Sequence, residues 1–268
     1  MGIVSKKLLK QVSAIVQHEL EAKHWGTKAP GKSPSGVDRF YVFDYRALGL
    51  VTGIYRYKLK DLPVSLFYRG QTKDFPVSAS IFRRIKNAEE KDKALAWEEA
   101  ILQELKPYFD PQGTDDEREA LAQHYGLHTR YIDIVDNIQT ALWFAYDWQI
   151  KSEDKYDDDV GYIQLLSLPT NDGGSLIDLR RKPSQWLRPH VQQAFVYRAQ
   201  DPYKECGCIN RFHVATIIVP RALMREWTNY DCIGHDMFYP SSAQDPGLRF
   251  WNDAKVKLEE KGFDLNKY

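Results

Sequence analysis

A polar turn held between two apolar flanks constrains this chain more than any other stretch. It runs from Glu119 to Trp148, EALAQHYGLHTRYIDIVDNIQTALWFAYDW. Ala120, Leu121 and Tyr125 recur at helical spacing, and Gly126 is placed to stop that helix, because glycine adopts the left-handed conformation cheaply. His128, Thr129 and Arg130 lead into a short strand, Tyr131-Ile132-Asp133-Ile134. Asp136 is expected to cap a second helix whose apolar stripe is Ile138, Ala141, Leu142 and Ala145. Helix, turn, strand and helix packed on both sides make a rigid mount, with His124, His128, Thr129, Arg130, Asp133 and Asp136 grouped near its turns.

The rest of the chain supplies an α+β frame around that mount. With 268 residues and 43% hydrophobic content, it can bury a large core. The 37 basic and 37 acidic side chains cancel, so no overall field favours nucleic acid or an anionic membrane. Three cysteines in this length do not make a disulfide framework, which points to a reducing, cytoplasmic setting. No apolar run reaches the length of a membrane span, and Lys6, Lys7 and Lys10 interrupt any secretory leader.

Val4 to Lys23 has one apolar face, Leu8, Leu9, Val12, Ile15, Val16 and Leu20. We read it as a helix packed on the domain, with a partner or second-copy helix as the sharper alternative. Gly26 to Gly36 is expected to be a flexible connector, giving residues 1–36 as helix and linker and 37–268 as one α+β domain. Strands are expected over Arg39–Tyr45, Val64–Arg69, Gly161–Leu168, Val191–Arg198 and Phe212–Pro220, and helices over Asn87–Tyr108, Ala222–Asn229 and Gly247–Lys261. Lys151–Asp159 and Tyr203–Asn210 read as loops, Asp172-Gly173-Gly174 as a turn, and Leu187-Arg188-Pro189-His190 as a rigid approach to a strand.

Several chemistries find no support. There is no nucleophile elbow, phosphate loop or dinucleotide glycine fingerprint. Cys206, Cys208, Cys232 and His235 lack the usual zinc spacing, and His124 and His128 are separated by Gly126, so no metal site is assigned. A metal-dependent nuclease using His124 and nearby carboxylates is the least favoured of the remaining readings.

AQHYGLHTRYID, followed by Asn137 and then by ALWFA, resembles the signature of the FRG-domain family, named for a Phe/Tyr-Arg-Gly motif. Phe67-Tyr68-Arg69-Gly70-Gln71 supplies that motif, Gln192-Gln193-Ala194-Phe195 is similar to its Gln-x-Gly-x-Phe strand, and Phe238-Tyr239-Pro240 is a weaker fourth match. Ile134-Val135-Asp136 stand where the family usually has Trp-Thr and a small polar residue, and Ala194 where glycine is usual. The order of these segments also resembles the ADP-ribosyltransferase superfamily. That resemblance implies a mixed, mostly antiparallel sheet flanked by helices, with NAD as substrate for a transferase or glycohydrolase. It further implies a toxin or phage-defence effector acting on an unidentified protein or nucleic-acid acceptor. With the chemistry of nicotinamide–ribose cleavage, the catalytic candidates are Arg69 and Gln192 by resemblance, Asp133 as a source of negative charge, and His124 as a general base or acceptor-orienting group. The resemblance assigns Tyr68, Arg69, Gly70, Tyr125, Thr129, Arg130, Gln193 and Phe195 to NAD binding. The superfamily's catalytic Glu is replaced by Gln192 or Gln193, which can orient a hydroxyl but carries no charge. A non-catalytic module that binds a ligand or nucleic acid is therefore the competing reading.

Overall fold

A computed structural model describes residues 4–83, 85, 87–146, 160–170, 175–198, 209–229, 234–265 and 267. The fold is α+β with a mixed sheet. The chain forms two compact units, each made of three segments: residues 1–77, 134–172 and 209–235, and residues 78–133, 173–208 and 236–268. The span 37–268, expected as one domain, contributes to both.

In the first unit, strands β1 (Gly26–Lys28), β2 (Arg39–Val42), β3 (Val64–Gln71), β5 (Val160–Pro169) and β8 (His213–Pro220) lie in the order β1-β2-β8-β5-β3. Val135 of β4 (Ile132–Val135) pairs with Tyr68 at the β3 edge. β2 runs parallel to β8, and the other pairs of this unit are antiparallel. The central strands are rich in β-branched and aromatic residues, which pack well on a pleated surface.

One face of this sheet is buried under helices α1 (Lys6–Ala22), α2 (Tyr45–Leu59), α5 (Ile138–Tyr146) and α7 (Arg221–Trp227), and Phe40, Tyr68, Ile163, Leu165 and Ile217 lie in the shared core. The apolar face of α1 is used here, except for Ile15, which is exposed: Val12, Val16 and Leu20 are fully buried, and the helix packs on α2 and β1. Ser5 caps α1 through its side chain, which accepts from Leu8 N–H. The expected connector opens instead as β1, paired to β2, with Ala29 and Ser33 buried beyond it. α2 was not anticipated. Its pattern is blurred by Gly49 and Gly53, yet Ala47, Leu48, Val51, Tyr55 and Leu59 are buried on one side.

His213 is wholly buried in this unit. Its Nε2 contacts the Ala215 carbonyl and the Thr216 hydroxyl, and burial holds its pKa down at about 4. The unfolded chain takes up a proton on this imidazole near its ordinary value of 6.5, and the folded chain does not until about pH 4. Stability should therefore fall as pH drops through that window. Denaturation midpoints measured from pH 7 to 4 should decline less steeply in His213→Gln; an identical slope would contradict this role.

The second unit packs α3 (Ala88–Leu105), α4 (Asp115–His124), α6 (Leu187–Val191) and α9 (Pro246–Glu260) around an aromatic centre. Phe109 meets Trp186 and Trp251 edge to face at centroid distances of 4.9 and 5.5 Å. β6 (Ser175–Asp178) and β7 (Ala194–Arg198) pair antiparallel. A short helix, α8, covers His235–Phe238, whose first residue belongs to the first unit. α4 begins with a complete capping box: the Thr114 hydroxyl accepts from Glu117 N–H, and the Glu117 carboxylate accepts from Thr114 N–H. Asp115, Asp116 and Glu117 form its first turn, where acidic side chains suit the helix dipole.

Three further expectations change. α5 is started by Asn137, whose side chain accepts from Gln139 N–H, and not by Asp136. Leu187–Val191 is helical, so the strand expected from Val191 begins at Ala194. Residues 151–159, 172–174 and 203–208, together with Cys206, Cys208 and Cys232, lie outside the described residues.

Candidate functional site

In the second unit, the C-terminus of α4 and the turn after it gather the polar residues of the central stretch. Gly126 has φ of 113°, the conformation required of the residue that ends the helix. The chain then folds back through Thr129, whose buried hydroxyl accepts from Tyr131 N–H at 3.1 Å and donates to Gln123 Oε1. Gln123 Nε2 donates to Asp133 Oδ1 at 2.7 Å. Thr129 N–H donates to Ser80 Oγ at 3.2 Å. Thr129 is thus a turn-former, and Gln123, which the sequence reading passed over, ties the turn to Asp133.

His124 sits between Asp133 and Gln192. Gln192 Nε2 donates to the Phe238 carbonyl at 2.8 Å, which leaves its Oε1 to face His124 Nδ1 at 3.1 Å. An amide oxygen can only accept, so Nδ1 carries the proton and the neutral ring keeps its lone pair on Nε2. Asp133 Oδ1 lies 3.3 Å from that Nε2 without hydrogen-bond alignment, and the two form an ion pair only when Nε2 is protonated as well. The side chain of His124 is 5% exposed and that of Asp133 46% exposed, so the line runs from the interior to solvent. Gln192 meets His124, and Gln193 takes a left-handed backbone conformation, φ 50°.

Arg130 is committed elsewhere. Its Nε lies 2.8 Å from Glu98 Oε2 and its Nη2 3.0 Å from Glu119 Oε2, and its backbone N–H donates to Glu98 Oε1. Arg198 adds a second cation to Glu119 and pairs with Asp116. Burial, reinforced by the neighbouring Glu119 charge, pushes the Glu98 carboxyl well above its ordinary range.

Tyr125 is buried, and its hydroxyl donates to both Asp245 oxygens at 3.0 Å. Burial first, and the Asp245 charge second, raise the tyrosine pKa, so it stays a donor. Asp245 also accepts from Gly247 N–H as the cap of α9. The Asp245-Pro246-Gly247 sequence is a legible helix start that the sequence reading did not use. Phe195 is buried, with the Arg180 guanidinium over one face at 4.2 Å.

Arg69 belongs to the first unit. It lies on the sheet face away from the helices, in a row of opposed residues: Arg39 on β2, Thr216 on β8, Gln164 on β5 and Arg69 on β3. Thr216 and Gln164 are fully buried, and Gln164 Nε2 donates to the Phe75 carbonyl. With its amide oriented to suit its neighbours, Gln71 accepts from Arg69 Nε at 3.1 Å. Tyr68 points the other way, into the helix-covered core, with Arg56 over its ring. Gly70 was expected just beyond the strand Val64–Arg69. It lies inside β3 instead, and a Cβ there would stand 1.9 Å from the Ala141 carbonyl oxygen and 2.6 Å from Ala145 N. The Arg-Gly pair is thus a contact point at which α5 lies directly on the strand.

A family model for the FRG domain matches residues 64–155. The chain carries an FRG domain. The match takes in the Arg69-Gly70 strand, the α4 turn with His124 and Asp133, and α5. No curated protein and no solved structure matches the chain. Among the described residues, no three His, Cys, Asp or Glu side chains are grouped to hold a metal ion, and no helix is long and apolar enough to cross a membrane.

Proposed function

We propose that this FRG-domain protein cleaves the nicotinamide–ribose bond of NAD, as an ADP-ribosyltransferase-like or NAD-glycohydrolase effector in toxicity or phage defence. The Asp133–His124–Gln192 line carries the reading. Cleavage builds positive charge on the ribose while the bonding pair leaves with the nicotinamide nitrogen. A carboxylate beside the developing cation lowers that barrier, and Asp133 has the charge that Gln192 lacks. Water or an acceptor hydroxyl then adds at the ribose carbon and gives up a proton. Nε2 of His124 can take it, because Gln192 fixes the proton on Nδ1. Support from sequence is the order of an Arg-Gly strand, a polar turn and a late Gln-bearing strand.

The test is incubation of the pure protein with NAD and candidate protein or nucleic-acid acceptors, with free nicotinamide as readout. Release is expected, together with an NAD-induced rise in melting temperature. Absence of both would sink the proposal. A rise without release would favour the second reading, a module that binds the nucleotide without reacting. On that side stands the superfamily resemblance, which sets an uncharged Gln192 or Gln193 in the place of a catalytic Glu.

A further inference from the structure

The geometry points to Arg188 as the anchor for a phosphate group of the ligand on which His124 acts. It rests on the reading above only in taking that ligand to be a nucleotide.

Arg188 is a half-buried cation without a carboxylate partner among the described residues. Among the described residues its one side-chain hydrogen bond runs from Nη1 to the His124 carbonyl at 2.9 Å, and its Nε is buried with no partner. Among the described residues of this unit, Arg118, Arg130, Arg180 and Arg198 each pair with Asp or Glu. Asp245 contributes charge near Arg188, but its Oδ1 already accepts from Tyr125, Leu187 and Gly247. Burial depresses the Arg188 pKa, the mark of a cation short of compensation. An uncompensated charge withdrawn from water is costly, and an incoming anion removes that cost.

The simplest structural role is a cap on the C-terminus of α4, through the bond to the His124 carbonyl. That role uses Nη1 alone. It does not explain why the guanidinium also lies over two tyrosine rings, Tyr125 at 4.9 Å and Tyr239 at 5.4 Å. Held by two rings and one carbonyl, the planar group keeps the edge of Nε and Nη2 for an oxyanion, the two-point geometry that arginine offers phosphate. Tyr125 and Tyr239 come from two separate stretches of the FRG resemblance, and the His124 carbonyl fixes Arg188 to the residue proposed for the chemistry.

The experiment uses the full chain, with sodium pyrophosphate, ADP and succinate as probes, read by calorimetry and thermal shift at low and moderate salt. Pyrophosphate and ADP are expected to bind more weakly as salt rises, and succinate poorly. Arg188→Gln should weaken pyrophosphate by about tenfold or more, the loss of a charge-assisted pair of hydrogen bonds. Lys93→Gln, which removes an exposed cation paired with Glu89 on α3, should leave pyrophosphate affinity unchanged, which separates a specific anchor from general charge. If Arg188→Gln does not fold, Arg188→Lys, which keeps the charge and loses the fork, should still weaken pyrophosphate at an unchanged melting temperature. Equal affinity in the Arg188 variants, no pyrophosphate binding by the wild type, or a preference for succinate would each overturn the inference. Pyrophosphate binding that depends on Arg188, in a protein that never releases nicotinamide, would sink the catalytic reading and leave this anchor standing.

Discussion

Gly70→Ala should strongly destabilise the protein, although it adds a single methyl group. Conformational preference alone favours alanine over glycine in a strand by about 0.5–1 kcal/mol. Steric contact opposes it, because the new Cβ would lie 1.9 Å from the Ala141 carbonyl oxygen and 2.9 Å from the Phe144 Cβ. Both are parts of a packed helix, so relief requires α5 to lift from β3. Overpacking of this kind costs about 1–3 kcal/mol and sometimes more, and backbone contacts put Gly70 at the upper end. Urea denaturation followed by circular dichroism measures it. Gly49→Ala is the control: in α2 the added Cβ meets nothing within 4 Å, and helix propensity predicts a gain of about 0.8–1 kcal/mol. A neutral Gly70→Ala would mean that the close approach of helix and strand is not fixed.

Arg130→Met should cost about 3–5 kcal/mol, the range for removing one partner from a buried ion pair. Glu98 is 0% and Glu119 1% exposed. Arg198 still serves Glu119 in the variant, but Glu98 loses its cation. The pH dependence follows from the raised Glu98 pKa. The folded chain holds a proton on Glu98 above the ordinary value of 4.5, and the unfolded chain releases it there. The folded state therefore binds more protons in that window, and this group's contribution to stability falls as pH rises through it. Without Arg130 the folded pKa rises further, so the decline should extend to higher pH. Adding Glu98→Gln, which cannot titrate, should restore part of the stability and flatten the curve. A single variant as stable as the wild type would mean that solvent reaches these carboxylates.

The contrast between Arg130 and Arg188 marks how far the sequence could be read. Both are arginines beside aromatic residues, and the family resemblance drew attention to Arg130. Its commitment to Glu98 and Glu119 depends on α3 and α4 packing together, which no spacing within Thr129–Asp133 encodes. Arg188 lies in a stretch that gave no helical signal because Pro189 obscured it; its isolation from carboxylates is visible only once neighbours are known. Local patterns fared better. The stripe on α1, the glycine stop after α4 and the β-branched run of β8 follow from residue chemistry within a few positions, and they appear where expected. α2 was hidden because Gly49 and Gly53 weaken a helix whose stability comes from Val51, Tyr55 and Leu59 in the core. Gly70 could not be placed inside the strand from sequence, since a close approach of helix and strand leaves the same single glycine as a strand end.

The central claim is that Asp133, His124 and Gln192 form a working acid–base line. Its most direct test is the rate of nicotinamide release from NAD by the wild type and by His124→Gln, both checked for equal melting temperature. The account predicts measurable release by the wild type and a loss of about 10²–10⁴-fold in the variant, the usual worth of a positioned general base. Equal rates in two folded proteins would contradict it.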